Sequence, residues 1–179
     1  MERFRIVMSG SGGQGVITAA VILSEAAVLY EDLTAVQSQA YGPEARGGAA
    51  RADVIISDSE IYFPKVIQPN VLVCLTQMAY NKFVPIIRPG GLLITDNRYV
   101  TTERKIDAKQ IELPLYKRVM DEFGNPIVLN ICMLGALIRQ INIVRPESIL
   151  KVLEKRLPPN FIGMNKKALD LGYNLAENY

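Results

Sequence analysis

Phe4-Arg5-Ile6-Val7-Met8-Ser9-Gly10-Ser11-Gly12-Gly13-Gln14-Gly15-Val16-Ile17-Thr18-Ala19-Ala20 is the stretch that decides the fold. Residues 4–8 are a short β-rich run that stops at glycine. From Val16 to Tyr30 the chain is apolar nearly all round and of helical length. A strand, a glycine-rich turn and a buried helix open a parallel α/β sheet. Gly10, Gly12 and Gly15 fit G-x-G-x-x-G, with Gly13 as an extra. Glycines permit the sharp turn and let backbone N–H groups approach a phosphate at a helix N-terminus.

Outward from this unit the pattern repeats. Strands are expected at residues 33–36, 52–57, 71–75 and 92–95, a short one at 60–63 and a weak edge strand at 104–106. Val71-Leu72-Val73-Cys74-Leu75 is continuously apolar, as in a strand covered on both faces. Helices are expected at 78–87, stopping before Arg88-Pro89-Gly90-Gly91, and at 116–123, closed by Gly124. Three more follow at 128–143, at 146–157 with Pro146 in a favoured first-turn position, and at 161–177. No repeat or linker interrupts the alternation, so residues 1–179 read as one doubly wound α/β domain with a mostly parallel sheet and a helical C-terminus.

Composition excludes several function classes. With 20 Lys+Arg against 18 Asp+Glu, the net charge of +2 argues against nucleic-acid binding by bulk electrostatics. There is no histidine, which removes His-based triads, His metal ligands and the commonest general acid/base. Cys74 and Cys132 stand far apart without a CxxC, so no cysteine-ligated zinc or iron–sulfur site is expected in this chain. Both read as buried, reduced core residues, and a cytoplasmic location fits them. No signal-peptide pattern is visible, and the most apolar stretch, 127–138, contains Asn130 and is shorter than the roughly 20 residues a bilayer span needs.

Two segments carry chemistry. The full dinucleotide fingerprint places an acid about 20 residues after the glycines, but Val36-Gln37-Ser38 occupies that place. A nicotinamide-nucleotide reading is therefore half supported, and glycines serving only helix–strand packing remain the alternative. The second segment, within a loop expected over 37–48, is Tyr41-Gly42-Pro43-Glu44-Ala45-Arg46-Gly47-Gly48. Gly42-Pro43 stiffens its start, Gly47-Gly48 allows close approach, and Arg46 is placed to grip a carboxylate or phosphate. Loops at the carboxyl ends of neighbouring strands converge on one crevice, so this loop is expected beside the turn. An anion or subunit-docking site and an ordinary solvated loop stand even. Asn130 is expected to cap its helix, ahead of the alternative that it hydrogen-bonds across an interface, and Gly135 inside that helix to mark close packing against a strand or another subunit.

Taken in order, the Gly-x-Gly-Gly-Gln-Gly turn, Ser38 to Gly48, Arg51-Ala52-Asp53-Val54-Ile55-Ile56-Ser57 and Asn130-Ile131-Cys132-Met133-Leu134-Gly135-Ala136 resemble the gamma subunit of 2-oxoacid:ferredoxin oxidoreductases. The Tyr-Gly-Pro-Glu-Ala-Arg-Gly-Gly form looks more like the 2-oxoglutarate enzymes. Ser11 stands where the pyruvate enzymes more often have arginine. The resemblance implies a Rossmann-like domain in a complex that oxidatively decarboxylates a 2-oxo acid to an acyl-CoA and passes electrons to ferredoxin or a similar acceptor. It implies alpha, beta and often delta partner subunits. Thiamine diphosphate, Mg and iron–sulfur clusters would lie in those partners and none would be bound by this chain alone. Coenzyme A is the co-substrate. Gly10, Gly12, Gly13, Gln14 and Gly15, with Arg46, Gly47 and Gly48, would line the coenzyme A side, and no residue of this chain would be catalytic. A stand-alone nucleotide-binding oxidoreductase and a docking protein without ligand contact are the competing expectations.

Overall fold

A computed structural model describes residues 3–40, 48–103 and 105–179. It holds one six-stranded sheet in the order β2-β3-β1-β4-β5-β6. The strands are β1 (Phe4–Ser11), β2 (Thr34–Ala40), β3 (Ala49–Ser57), β4 (Val71–Cys74), β5 (Gly91–Asp96) and β6 (Ala108–Leu113). The helices are α1 (Val16–Tyr30), α2 (Gln77–Phe83), α3 (Leu115–Phe123), α4 (Leu129–Ile141), α5 (Pro146–Arg156) and α6 (Pro159–Leu175). The expected mostly parallel α/β sheet with a helical C-terminus is therefore present.

β1, β4, β5 and β6 run parallel. β3 runs against both β1 and β2 and separates them. Only eight residues join β2 to β3, and a parallel crossover needs a dozen or more. The short connection therefore forces a hairpin, and β3 inserts where a regular doubly wound sheet would place β2. Side chains alternate between the two faces. Ile6, Met8, Val54, Val73 and Ile94 share one core with α1, α4 and α5. Val7, Ile55, Leu72 and Leu93 pack with Ala79, Tyr80 and Phe83 of the shorter α2 on the other.

Several element expectations are corrected. β2 continues through Gln37, Ser38 and Gln39, expected in a loop, because they pair with Val54, Asp53 and Ala52. No strand forms at 60–63. That segment is irregular and tied down instead: Ser38 Oγ donates to the Pro64 carbonyl at 3.0 Å, and Asp53 Oδ2 accepts the Val66 N–H at 2.9 Å. Lys105 and Ile106 form no strand, and Arg104 lies outside the described residues. The edge strand is β6, where Ile111 and Leu113 point inward between exposed polar residues. The helix expected over 78–87 ends at Phe83, and Pro85 leads a 3₁₀ turn.

The α4–α6 contact corrects another expectation. A Cβ on Gly172 would run into the Cys132 carbonyl, and one on Gly135 into the Leu169 carbonyl. Gly135 thus serves helix-on-helix packing, with neither a strand nor another subunit. Cys74 and Cys132 are fully buried, and burial pushes both thiols up to about 12. Thiolate is then scarce, and both behave as core residues. Among the described residues no helix is long and apolar enough to cross a membrane.

Candidate functional site

The site lies where parallel strands end, the general ligand position of open α/β sheets. β1 ends at Ser11, β4 leads into Thr76, and β5 ends at Asp96. A cavity of about 710 Å³ opens there. It is lined by Ser11, Gly13, Gln14 and Gly15 of the turn, by Thr76, Tyr99 and Tyr116, and by Asn125, Pro126, Ile127, Leu129 and Asn130.

The turn is held from inside. The Ser11 N–H donates to Gln14 Oε1 at 2.7 Å, and the Gln14 N–H donates to the Ser11 carbonyl at 3.3 Å. Gln14 therefore spends its carbonyl oxygen on the turn itself, and a Cβ on Gly10 would collide with that oxygen. Gly15 takes a left-handed φ of 75° at the start of α1, where a Cβ would lie 2.7 Å from Asn130 Nδ2. Gly12 and Gly13 differ: a Cβ at either would meet nothing within 4 Å. The open side of the turn is here, and Gly13 faces the cavity.

Of the other expected site residues, Gly48 precedes Ala49, which pairs with Ser11, so the chain enters β3 beside the turn. Arg46 and Gly47 lie outside the described residues. Asn130 is not the helix cap: Val128 holds that position and Asn130 sits in the first turn of α4. Its Oδ1 accepts the Ile131 N–H at 3.0 Å and its Nδ2 donates to the Gly15 carbonyl at 3.3 Å, tying α4 to the turn.

Sequence reasoning missed the aromatic part of the site. Tyr99 and Tyr116 meet edge to face with centroids 5.1 Å apart. Asp96, the buried last residue of β5, accepts the Arg98 N–H at 2.9 Å and the Tyr116 N–H at 2.6 Å. Burial pushes its carboxyl above the ordinary carboxylate value, and these two amides pull it back. The available signal was an acid at the C-terminal end of an apolar strand, followed closely by arginine and tyrosine. Among the described residues no group of three or more His, Cys, Asp or Glu is placed to hold a metal.

A family model for pyruvate ferredoxin/flavodoxin oxidoreductase matches residues 5–175. The chain belongs to this family. It is 46% identical over 177 residues to 2-oxoglutarate synthase subunit KorC of Methanocaldococcus jannaschii, covering 98% of this chain and 95% of that one. Its fold matches the keto/oxoacid ferredoxin oxidoreductase gamma subunit of Geobacter sulfurreducens with TM-score 0.90 and 37% identity, over 98% of this chain and 97% of that one. A 2-oxoglutarate:ferredoxin oxidoreductase from Magnetococcus marinus, solved with 2-oxoglutarate, coenzyme A and succinyl-CoA, shares the fold with TM-score 0.89 at 22% identity. There the match covers all of this chain and 32% of the other. The chain is thus a gamma-type subunit of a 2-oxoacid oxidoreductase family whose fold also occurs inside longer chains.

Proposed function

We propose that residues 1–179 form the gamma subunit of a thiamine-diphosphate-dependent oxidoreductase that converts 2-oxoglutarate and coenzyme A to the acyl-CoA, with a ferredoxin-type acceptor. The substrate assignment rests on the similarity to KorC. Alpha, beta and delta-type partners carry the thiamine diphosphate, Mg and iron–sulfur clusters, and the complex works in the cytoplasm. Thiamine diphosphate supplies the carbanion chemistry when bound. This chain's part is to bind and orient coenzyme A.

The observation that carries this role is the cavity beside a turn whose Gly12 and Gly13 leave backbone open. Gly10, Gln14 and Gly15 hold the turn in shape, Gly12 and Gly13 face the phosphates, and Arg46, Gly47 and Gly48 are assigned to the same ligand on the family resemblance. A space of about 710 Å³ is in the range of small-molecule and cofactor sites. The nicotinamide alternative lacks its acid: β2 ends in Gln37-Ser38-Gln39-Ala40.

The test is native purification through a tag on this chain. Co-purifying subunits with thiamine diphosphate and iron, and dye reduction that needs both 2-oxoglutarate and coenzyme A, are expected. A chain that comes down alone, without cofactors but with saturable NAD(P) binding, would sink the proposal. An Arg46→Ala complex with unchanged KM for coenzyme A would remove that residue from the site.

A further inference from the structure

Arg98 is exposed beside this cavity and reaches it through two rings that line it. Its guanidinium carbon lies 5.2 Å from the Tyr116 ring centroid and 5.7 Å from that of Tyr99. Both rings line the cavity that Gly13 and Gln14 also line. Stacking occupies the face of a guanidinium and leaves the N–H donors in its plane available. Among the described residues no carboxylate lies within ion-pair distance of the Arg98 side chain. Asp96 bears on it only at longer range, because that carboxylate already holds the backbone N–H groups of Arg98 and Tyr116. The Tyr99 hydroxyl takes a hydrogen bond from the guanidinium, which leaves its remaining donors for a ligand. An arginine braced on two aromatic rings, fixed at its backbone by a buried acid and with no carboxylate in ion-pair range among the described residues is placed to receive an anion. The neighbouring lining, Pro126, Ile127 and Leu129, is apolar, which suits a ligand with one charged end and a neutral body.

We propose that Arg98, braced by Tyr99 and Tyr116, anchors a phosphate of the nucleotide end of coenzyme A. This rests on the coenzyme A reading above and adds a cation that the glycine turn and Arg46 do not supply. Asp96 is a positioning residue: it sets where Arg98 and Tyr116 stand and touches no ligand.

The experiment is calorimetric titration of the purified complex with coenzyme A and with adenosine 3′,5′-bisphosphate, the nucleotide end alone. Arg98→Leu is expected to weaken both about 10- to 100-fold. Arg98→Lys is expected to fall between it and the wild type, since it keeps the charge but loses the stacked fork. KM for coenzyme A should rise in step, and the wild-type advantage should shrink with added salt. Should Arg98→Leu fail to assemble, Arg98→Lys carries the test. Wild-type affinity for both titrants in that variant overturns the anchor. Weakening by Gly12→Leu without weakening by the Arg98 variants also overturns it and leaves the coenzyme A reading standing. A wild-type complex that binds neither titrant overturns both.

Discussion

Two pairs of glycines in this chain do opposite things. Gly135 and Gly172 bring α4 and α6 together, and a Cβ on either would enter a backbone carbonyl of the other helix. Gly12 and Gly13 follow β1, and a Cβ on either would meet nothing. In the first pair the missing side chain is filled by protein. In the second it is filled by nothing the chain itself provides. A glycine whose Cβ space is occupied explains stability; at Gly13 the left-handed φ of 90° also calls for glycine, while Gly12 has neither reason and its open side leaves room for a ligand or partner. The variants below sharpen that contrast or break it.

The largest effect belongs to the packed pair. Gly172→Ala forces two helices apart at a backbone contact that no rotamer change relieves, and is expected to cost about 3 kcal/mol or more. For a chain of this size that lowers the melting temperature by roughly 6–12 °C. Gly135→Ala should behave alike. A Gly172→Ala melt within 2 °C of the parent would mean that the helices separate easily and that the contrast is false.

Gly15 stands between the two classes. Its left-handed φ strains any other residue by about 1–3 kcal/mol. The added Cβ of Gly15→Ala would lie 2.7 Å from Nδ2, 2.9 Å from Cγ and 3.0 Å from Cβ of Asn130, so the amide must turn away and the backbone must give slightly at the Cβ contact. A loss of about 1–2 kcal/mol is expected, with Asn130→Ala near 1 kcal/mol through its lost bond to the Gly15 carbonyl. Because both changes remove the same tie, the double variant should cost less than the sum. Additivity in chemical denaturation would show that Asn130 does not hold the turn.

The sequence revealed these regions unequally. The β1–turn–α1 unit was legible because an apolar run, a glycine cluster and a second apolar run follow one another without interruption. So were the buried β4 and β5. The place of β3 was not, since nothing in Ala52 to Ser57 says whether its neighbour runs with it or against it. That is decided by the length of the connection. β6 was misplaced by a few residues because Lys109 and Glu112 weaken its apolar signal, although Ile111 and Leu113 alternate properly. At the site, the glycines were legible as a local motif. Arg98, Tyr99 and Tyr116 were not, because the turn after β5 and the start of α3 are apart in sequence and meet only in the fold, through Asp96 and the contacts of Arg98 and Tyr99 with Tyr116. The Arg46 loop lies outside the described residues, and its expected role stands on resemblance and on the return of Gly48 to Ser11.

A smaller effect is expected at the α1–α5 contact. The Arg156 hydrogen bond holds the Glu25 carboxyl below the ordinary carboxylate value. Both side chains are well exposed, at 41% and 38%, so Arg156→Ala should cost less than about 1 kcal/mol. The sign follows from the lowered value. The contribution is present above the unfolded carboxylate pKa and fades as pH falls through the folded one. Melting curves of parent and variant should therefore separate slightly at neutral pH and converge in acid. Divergence in acid would reverse the assignment.

The smallest change in stability is expected where the functional change is large. Gly12 is not among the left-handed glycines, and its Cβ space is empty. Gly12→Leu should therefore melt within about 0.5 kcal/mol of the parent and still assemble with its partners. The leucine side chain would stand on the open side of the turn, where backbone N–H groups are proposed to meet a phosphate. KM for coenzyme A should rise about tenfold or more while dependence on the 2-oxo acid stays as it was, because in the proposed complex that substrate reacts away from this turn. Two outcomes break the comparison. If Gly12→Leu unfolds the chain, the open space is needed for folding and the two glycine pairs are alike. If it folds and binds coenzyme A as before, the space faces solvent, and the ligand role passes from the turn to the aromatic wall alone.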